Sequence, residues 1–234
     1  MEKEGVFVVS LDFEGYWCTN DWSEKSILSY RENLSNSKRA LIEIINLFES
    51  YKVKSTVGVV GMLLFKDVNT LKKSIPKNTP TYSDLKIDTY SDHRLNNENM
   101  YDLCFSAITE VKNIANKEGV EIGTHTFSHF YCGEKGQTAQ QFKEDLIASI
   151  KISNEYGINV ESIIFPKNQV NEDYLNICNK HGVKTYRGNQ DIWIYKQSKT
   201  RIFALLKKIL RAIDCYFLIS GYNCHDLPKP NGNN

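Results

Sequence analysis

The chain has 234 residues, 41% of them hydrophobic and 24% charged, with 29 basic against 28 acidic side chains and a net charge of +1. That length suits one domain with a sizeable core. The near-neutral balance excludes a general nucleic-acid binder, and no apolar run approaches the roughly 20 residues a membrane span needs, so no stable membrane insertion is expected. Met1-Glu-Lys-Glu-Gly5 leads straight into an apolar run, and six cysteines lie scattered without CxxC spacing. These features predict a leaderless cytoplasmic chain with reduced thiols.

Strand-like and helix-like segments alternate along the chain. The first strand is expected at Val6–Leu11, followed by a helix at Ser37–Tyr51 with Leu41, Ile44, Ile45 and Phe48 on one face. The second strand is expected at Ser55–Val60. A polar stretch over 66–100 is long for a loop and suits a lid or substrate rim. A helix is predicted for Tyr101–Glu118, stopped by Gly119, and then a third strand at Val120–Thr124. Thr138-Ala-Gln-Gln141 reads as a capping box opening a helix that runs to Tyr156 and stops at Gly157. A fourth strand at Ser162–Phe165, a helix at Glu172–His181 and a fifth strand at Val183–Tyr186 follow. A helix at Thr200–Ile213 and a sixth strand at Tyr216–Ile219 complete the pattern. No internal repeat or dividing linker is evident.

Such alternation implies parallel pairing in a barrel or a doubly wound sheet. Polar groups decide between them. Asp12 and Glu14 end the first strand, His125 the third, Lys167-Asn168-Gln169 the fourth, Arg187-Gly-Asn189 the fifth and Ser220-Gly-Tyr-Asn223 the sixth. Reactive groups at many strand carboxyl ends suit a barrel. Six strands are too few for a regular eightfold one, so an irregular or incomplete α/β barrel is expected.

The densest motif is Glu121-Ile-Gly-Thr-His125-Thr-Phe-Ser-His129. On a helical turn, positions i and i+4 share a face, so both imidazoles can reach one metal ion. Asp12 and Glu14 would supply a carboxylate ligand and a spare carboxylate, a set suited to metal-assisted hydrolysis. His93 and His181 read as structural, and Cys132 as a small buried residue. The basic helix bearing Arg201, Lys207, Lys208 and Arg211 reads as a solvated barrel helix.

Ser10-Leu-Asp-Phe-Glu14, Tyr30-Arg-Glu-Asn33, the 121–129 block, Phe165-Pro-Lys-Asn-Gln169 and Tyr186-Arg-Gly-Asn189 span most of the chain. Together they resemble the polysaccharide deacetylase family, with its NodB-homology fold. The branch most resembled is the one found in surface-polysaccharide biosynthesis. The resemblance implies a distorted (β/α) barrel, a single 1–234 domain, and removal of acetyl groups from N-acetylated sugars. It also implies a divalent metal, zinc above all. Asp12 falls at the base position. Glu14, His125 and His129 fall at the ligand positions, with Glu14 displaced by one residue from the usual acid. Lys167 falls where many members carry an arginine that holds the base.

Asn168, Gln169, Arg187 and Asn189 are then candidates for sugar hydroxyls, Trp17, Trp22 and Trp193 for sugar platforms, and a backbone N–H near Tyr131 for the oxyanion. The family's last strand carries a histidine that protonates the departing amine. Cys224-His225-Asp226 is only superficially similar to it. Two readings therefore stay open: an active deacetylase, or a shortened, catalytically impaired relative acting in carbohydrate binding or assembly. A third is a different hydrolase releasing formate or opening a cyclic amide.

Overall fold

Apolar residues with one-face or two-face burial set the elements of the fold. The computed structural model describes residues 5–91, 95, 103–189, 192–194 and 201–221. They form two compact units, Met1–Arg187 and Gly188–Asn234. His93, Tyr222, Asn223 and the Cys224-His225-Asp226 segment lie outside the described residues.

The first unit holds one five-stranded parallel sheet in sequential order: β1 (Val9–Phe13), β2 (Ser55–Val59), β3 (Val120–Thr124), β4 (Ser162–Ile163) and β5 (Thr185–Tyr186). The register runs from Val9 opposite Ser55 to Phe13 opposite Val59, and from Ser55 opposite Val120 to Val59 opposite Thr124. Thr124 then pairs with Ile163, and Ile163 with Tyr186. Helices cover the sheet: α1 (Glu24–Ser50), α2 (Val68–Lys73), α3 (Ile108–Ala115), α4 (Ala139–Glu155) and α5 (Glu172–Lys180). The second unit carries α6 (Arg201–Phe217).

In a flat sheet, the edge strands would stand about 19 Å apart, four spacings of about 4.8 Å. Arg187, directly after β5, instead bonds Asp12 of β1 at 2.6 and 2.7 Å. The sheet is therefore curled, and the architecture is the expected incomplete α/β barrel. β2 is buried at four of five positions, as a parallel strand covered on both faces must be.

The core joins Ile45, Val57, Leu71, Val111, Ile114, Phe142, Leu146 and Phe165, each essentially inaccessible. Each such side chain contributes roughly 1.5–3 kcal/mol of burial. The Thr138–Gln141 capping box forms as the sequence indicates.

Three elements differ from expectation. α1 begins thirteen residues before Ser37, at Glu24, because the Ser23 hydroxyl caps the Ser26 N–H at 3.2 Å. Its buried positions Ile27, Leu34, Leu41 and Ile45 recur at helical spacing. The helix expected at Tyr101–Glu118 is regular only over Ile108–Ala115. The sixth strand expected at Tyr216–Ile219 does not form. α6 continues through Phe217, and the chain turns at Leu218 (φ 47°). There the Asp214 carboxylate accepts from the Ser220 N–H at 2.5 Å and from its hydroxyl at 2.6 Å. The 66–100 stretch is not an open rim throughout, since it contains α2 and buries Tyr82 and Thr89.

Candidate metal centre

Glu14 follows β1 directly and opens a 3₁₀ turn, Gly15–Cys18. Gly15 has φ +55°, and a Cβ there would stand 2.3 Å from the Cys104 carbonyl oxygen. Only glycine fits this turn. The Trp17 indole donates to the Phe105 carbonyl at 3.0 Å, which pins the turn to the 104–105 segment.

β3 delivers His125 from the neighbouring side. Its Nδ1 lies 2.8 Å from the Ile164 carbonyl. A carbonyl can only accept, so Nδ1 carries a hydrogen, which leaves Nε2 as the atom that would present a lone pair to a bound cation. That Nε2 lies 2.9 Å from Glu14 Oε1, and His129 Nε2 lies 3.3 Å from the same oxygen. One ligand atom from each of the three residues falls within a mutual 4.8 Å.

The two histidines do not share a helical turn, as their spacing suggested. They sit on a tight loop in which Thr126 and His129 adopt left-handed backbone angles of 64° and 60°. Such angles cost non-glycine residues on the order of 1 kcal/mol each. The loop offsets that cost with internal bonds. The Thr126 hydroxyl accepts from the Phe130 N–H at 2.6 Å, and the Thr124 hydroxyl accepts from the Thr126 N–H at 2.9 Å.

The donor set fits a divalent cation. His129 Nδ1 is buried without a hydrogen-bond partner, and the opposite Nε2 shares a single carboxylate oxygen with a second imidazole. Burial drives the His129 imidazole toward its neutral form. Burial also pushes the Glu14 carboxyl up, but its close contacts with the His125 and His129 imidazoles outweigh that and hold the group well below the usual carboxylate range. A neutral imidazole and an ionised carboxylate are the states a metal requires. Two nitrogens and one carboxylate oxygen suit a divalent metal with an open position.

Beside this cluster, Asp12 accepts both arms of the Arg187 guanidinium. Arg187 also donates to Asn168 Oδ1 at 3.1 and 2.8 Å and to the Ser10 hydroxyl at 3.3 Å. Lys167 does not hold Asp12. Its ammonium pairs with Asp21 at 2.9 Å and lies 4.5 Å from the Tyr131 ring centre. The reason is local: Lys167 has φ 52° in the Pro166–Asn168 turn, and Asp21 already offers it a carboxylate. Arg187, which the sequence placed among the sugar-binding candidates, is the residue that grips Asp12.

Other assignments also shift. Gln169 accepts from the Gly133 N–H at 3.0 Å and donates to Glu134 at 2.9 Å, bracing the loop after His129. Asn189 lies exposed in the second unit. The Tyr131 N–H donates to the Tyr82 hydroxyl at 2.8 Å, so it is not an oxyanion donor. Trp17 is a core residue, and Trp22 stacks edge-on with Tyr30 at 5.3 Å. Cys132 is buried against the Phe130 carbonyl, whereas the Cys18 thiol donates to the Gly15 carbonyl at 3.3 Å. His181 caps α5. The sequence reading missed Asp21, Tyr82, Tyr90 and Asp145. None of them lies in a motif, and only the curled fold brings them to the loop.

A parallel half-barrel with acids and imidazoles at its strand carboxyl ends is the arrangement of barrel hydrolases. The sequence profile described as polysaccharide deacetylase matches residues 35–186, more than half of the chain, and the chain belongs to that family. Its fold resembles that of a protein from Mycobacterium smegmatis assigned as a polysaccharide deacetylase, with 14% identity and a TM-score of 0.50 over 76% of this chain and 49% of that one. A CE4 family pseudoenzyme from Bacillus anthracis aligns with 10% identity and a TM-score of 0.42, over 80% of this chain and 44% of the other. The chain thus spans less than half the length of either. The deacetylase domain of BpsB from Bordetella bronchiseptica aligns with 12% identity and a TM-score of 0.44, over 78% of this chain and 88% of that domain. A search of curated proteins finds no match. Among the described residues, no helix is long and apolar enough to cross a membrane.

Proposed function

We propose that the chain is a metal-dependent deacetylase that removes acetyl groups from N-acetylated sugars in surface-polysaccharide metabolism, with zinc as its metal. The observation that carries this reading is the convergence of Glu14, His125 and His129 within 4.8 Å, at the strand ends that also hold Asp12. Family membership supports the substrate class. The five described cysteines are free, which supports a cytoplasmic setting.

In this reading, Glu14, His125 and His129 hold the cation. When bound, the metal supplies a Lewis acid that polarises the acetyl carbonyl and lowers the pKa of water from about 15.7 toward 7. Asp12 accepts the proton from the attacking water as general base. The two-armed Arg187 contact keeps the Asp12 carboxylate in one orientation. The water oxygen adds to the carbonyl carbon, the C–N bond breaks, acetate leaves and the sugar amine takes up the proton. Asn168 also offers a polar contact for a sugar hydroxyl at the rim. Lys167, held by Asp21, adds a positive charge there.

The test is acetate release from a panel of N-acetylated sugars by the zinc-loaded chain. Release that disappears in Asp12→Asn supports the reading. Formate release from N-formyl sugars in place of acetate assigns a different amide substrate. A folded, zinc-loaded chain that binds these sugars without turnover is instead a carbohydrate-binding relative.

A further inference from the structure

The link between the two imidazoles has an anchor of its own. Asp145 projects from α4 and is 1% exposed. Its carboxylate accepts from the Phe127 N–H at 2.7 Å, the Ser128 N–H at 3.4 Å, the Ser128 hydroxyl at 2.5 Å and the Tyr90 hydroxyl at 2.9 Å. Three of these four donors belong to the stretch flanked by left-handed Thr126 and His129. The same stretch is held from its other side, where the Thr89 hydroxyl donates to the Ser128 carbonyl at 2.8 Å. Thr89 and Tyr90 come from the polar 66–100 stretch, so α4 and that stretch close on the link together.

We propose that Asp145 is a positioning residue for the metal centre. It fixes Phe127 and Ser128 so that His125 and His129 present their Nε2 atoms to one point, and Tyr90 locks its carboxylate. The proposal rests on the metal-centre reading above. An ionised carboxylate serves here because it only accepts, and all four partners donate. Outer groups that orient ligands in this way typically govern metal affinity by 10–100-fold.

The experiment measures zinc affinity of the full chain against a competing chelator, for wild type, Asp145→Asn and Tyr90→Phe. The visible spectrum of each cobalt-loaded form and the thermal unfolding of each metal-free form accompany it. Asp145→Asn, whose amide NH2 replaces the oxygen that accepts from the Ser128 and Tyr90 hydroxyls, is expected to unfold cooperatively. It should bind zinc about 10–100-fold more weakly, with an altered cobalt spectrum. Tyr90→Phe, which loses one bond, should weaken zinc about 2–5-fold.

A folded Asp145→Asn protein with wild-type zinc affinity and an unchanged cobalt spectrum overturns the proposal, even if its melting point falls. Should Asp145→Asn not fold, Tyr90→Phe decides, and wild-type affinity there overturns it. A folded wild type that binds no zinc refutes the metal-centre reading itself, and the proposal with it.

Discussion

Replacing Arg187 by lysine keeps the positive charge beside Asp12 but removes the fork. The wild-type pair makes two parallel bonds of 2.6 and 2.7 Å between side chains that are 28% and 31% exposed. A hydrogen bond to a charged group contributes about 1.5–3 kcal/mol, and partial exposure places this one near the lower end. Lysine retains one such bond at best, so the carboxylate loses about 1.5 kcal/mol of orientation, which is about tenfold in rate. If Asp12 is the base, Arg187→Lys should lower kcat about 10-fold and Arg187→Ala about 100-fold, with bound zinc unchanged.

The assay is steady-state acetate release with metal content measured on the same samples. Lys167→Ala is the internal comparison. Its pair with Asp21 is 44% and 36% exposed, so its loss should change kcat by less than about fivefold. A fully active Arg187→Lys protein, or a Lys167→Ala protein more impaired than Arg187→Lys, refutes the reasoning.

His125→Ala and His129→Ala should each lose most bound zinc, whereas Asp12→Asn should retain zinc and lose activity; metal analysis after dialysis checks both. Gly15→Ala should destabilise the fold by about 2–3 kcal/mol in urea denaturation. The cause is a Cβ built 2.3 Å from the Cys104 carbonyl at φ +55°, and an unchanged midpoint contradicts it. The Glu14 carboxyl is depressed in the fold, so its contribution is present above its unfolded value of 4.5 and is lost as pH falls through the folded value. The stability gap between metal-free wild type and Glu14→Gln should therefore be present above about pH 4.5 and shrink below it. A gap that widens in acid reverses the sign of this reasoning.

The apolar runs and caps made most of the fold legible. β2 and β3 are short stretches rich in β-branched residues between polar turns, and α4 is announced by Thr138 and Gln141. The candidate metal cluster was legible because two histidines four apart follow a strand end. Their loop was not, because the left-handed angles at Thr126 and His129 are imposed by Asp145 and Thr89 from elsewhere. The first half of α1 was hidden because Ser29–Asn33 is polar, although Ile27 and Leu34 carry its buried face. Tyr216–Ile219 looked like a strand because its residues favour sheets. The preceding helical pattern prevails, carrying α6 through Phe217. Arg187, not Lys167, bonds Asp12 because the curl of the sheet brings β5 to β1, a proximity that no local pattern encodes.

Zinc-edge X-ray absorption on the loaded full chain, compared with Glu14→Gln and His125→Ala, tests the central convergence most directly. The account expects one zinc per wild-type chain, bound by two imidazole nitrogens and a carboxylate oxygen at about 2.0–2.2 Å, with one of these ligands missing from whatever zinc each variant retains. A wild-type spectrum dominated by sulfur, or one that neither substitution changes, would place the metal elsewhere and contradict the account.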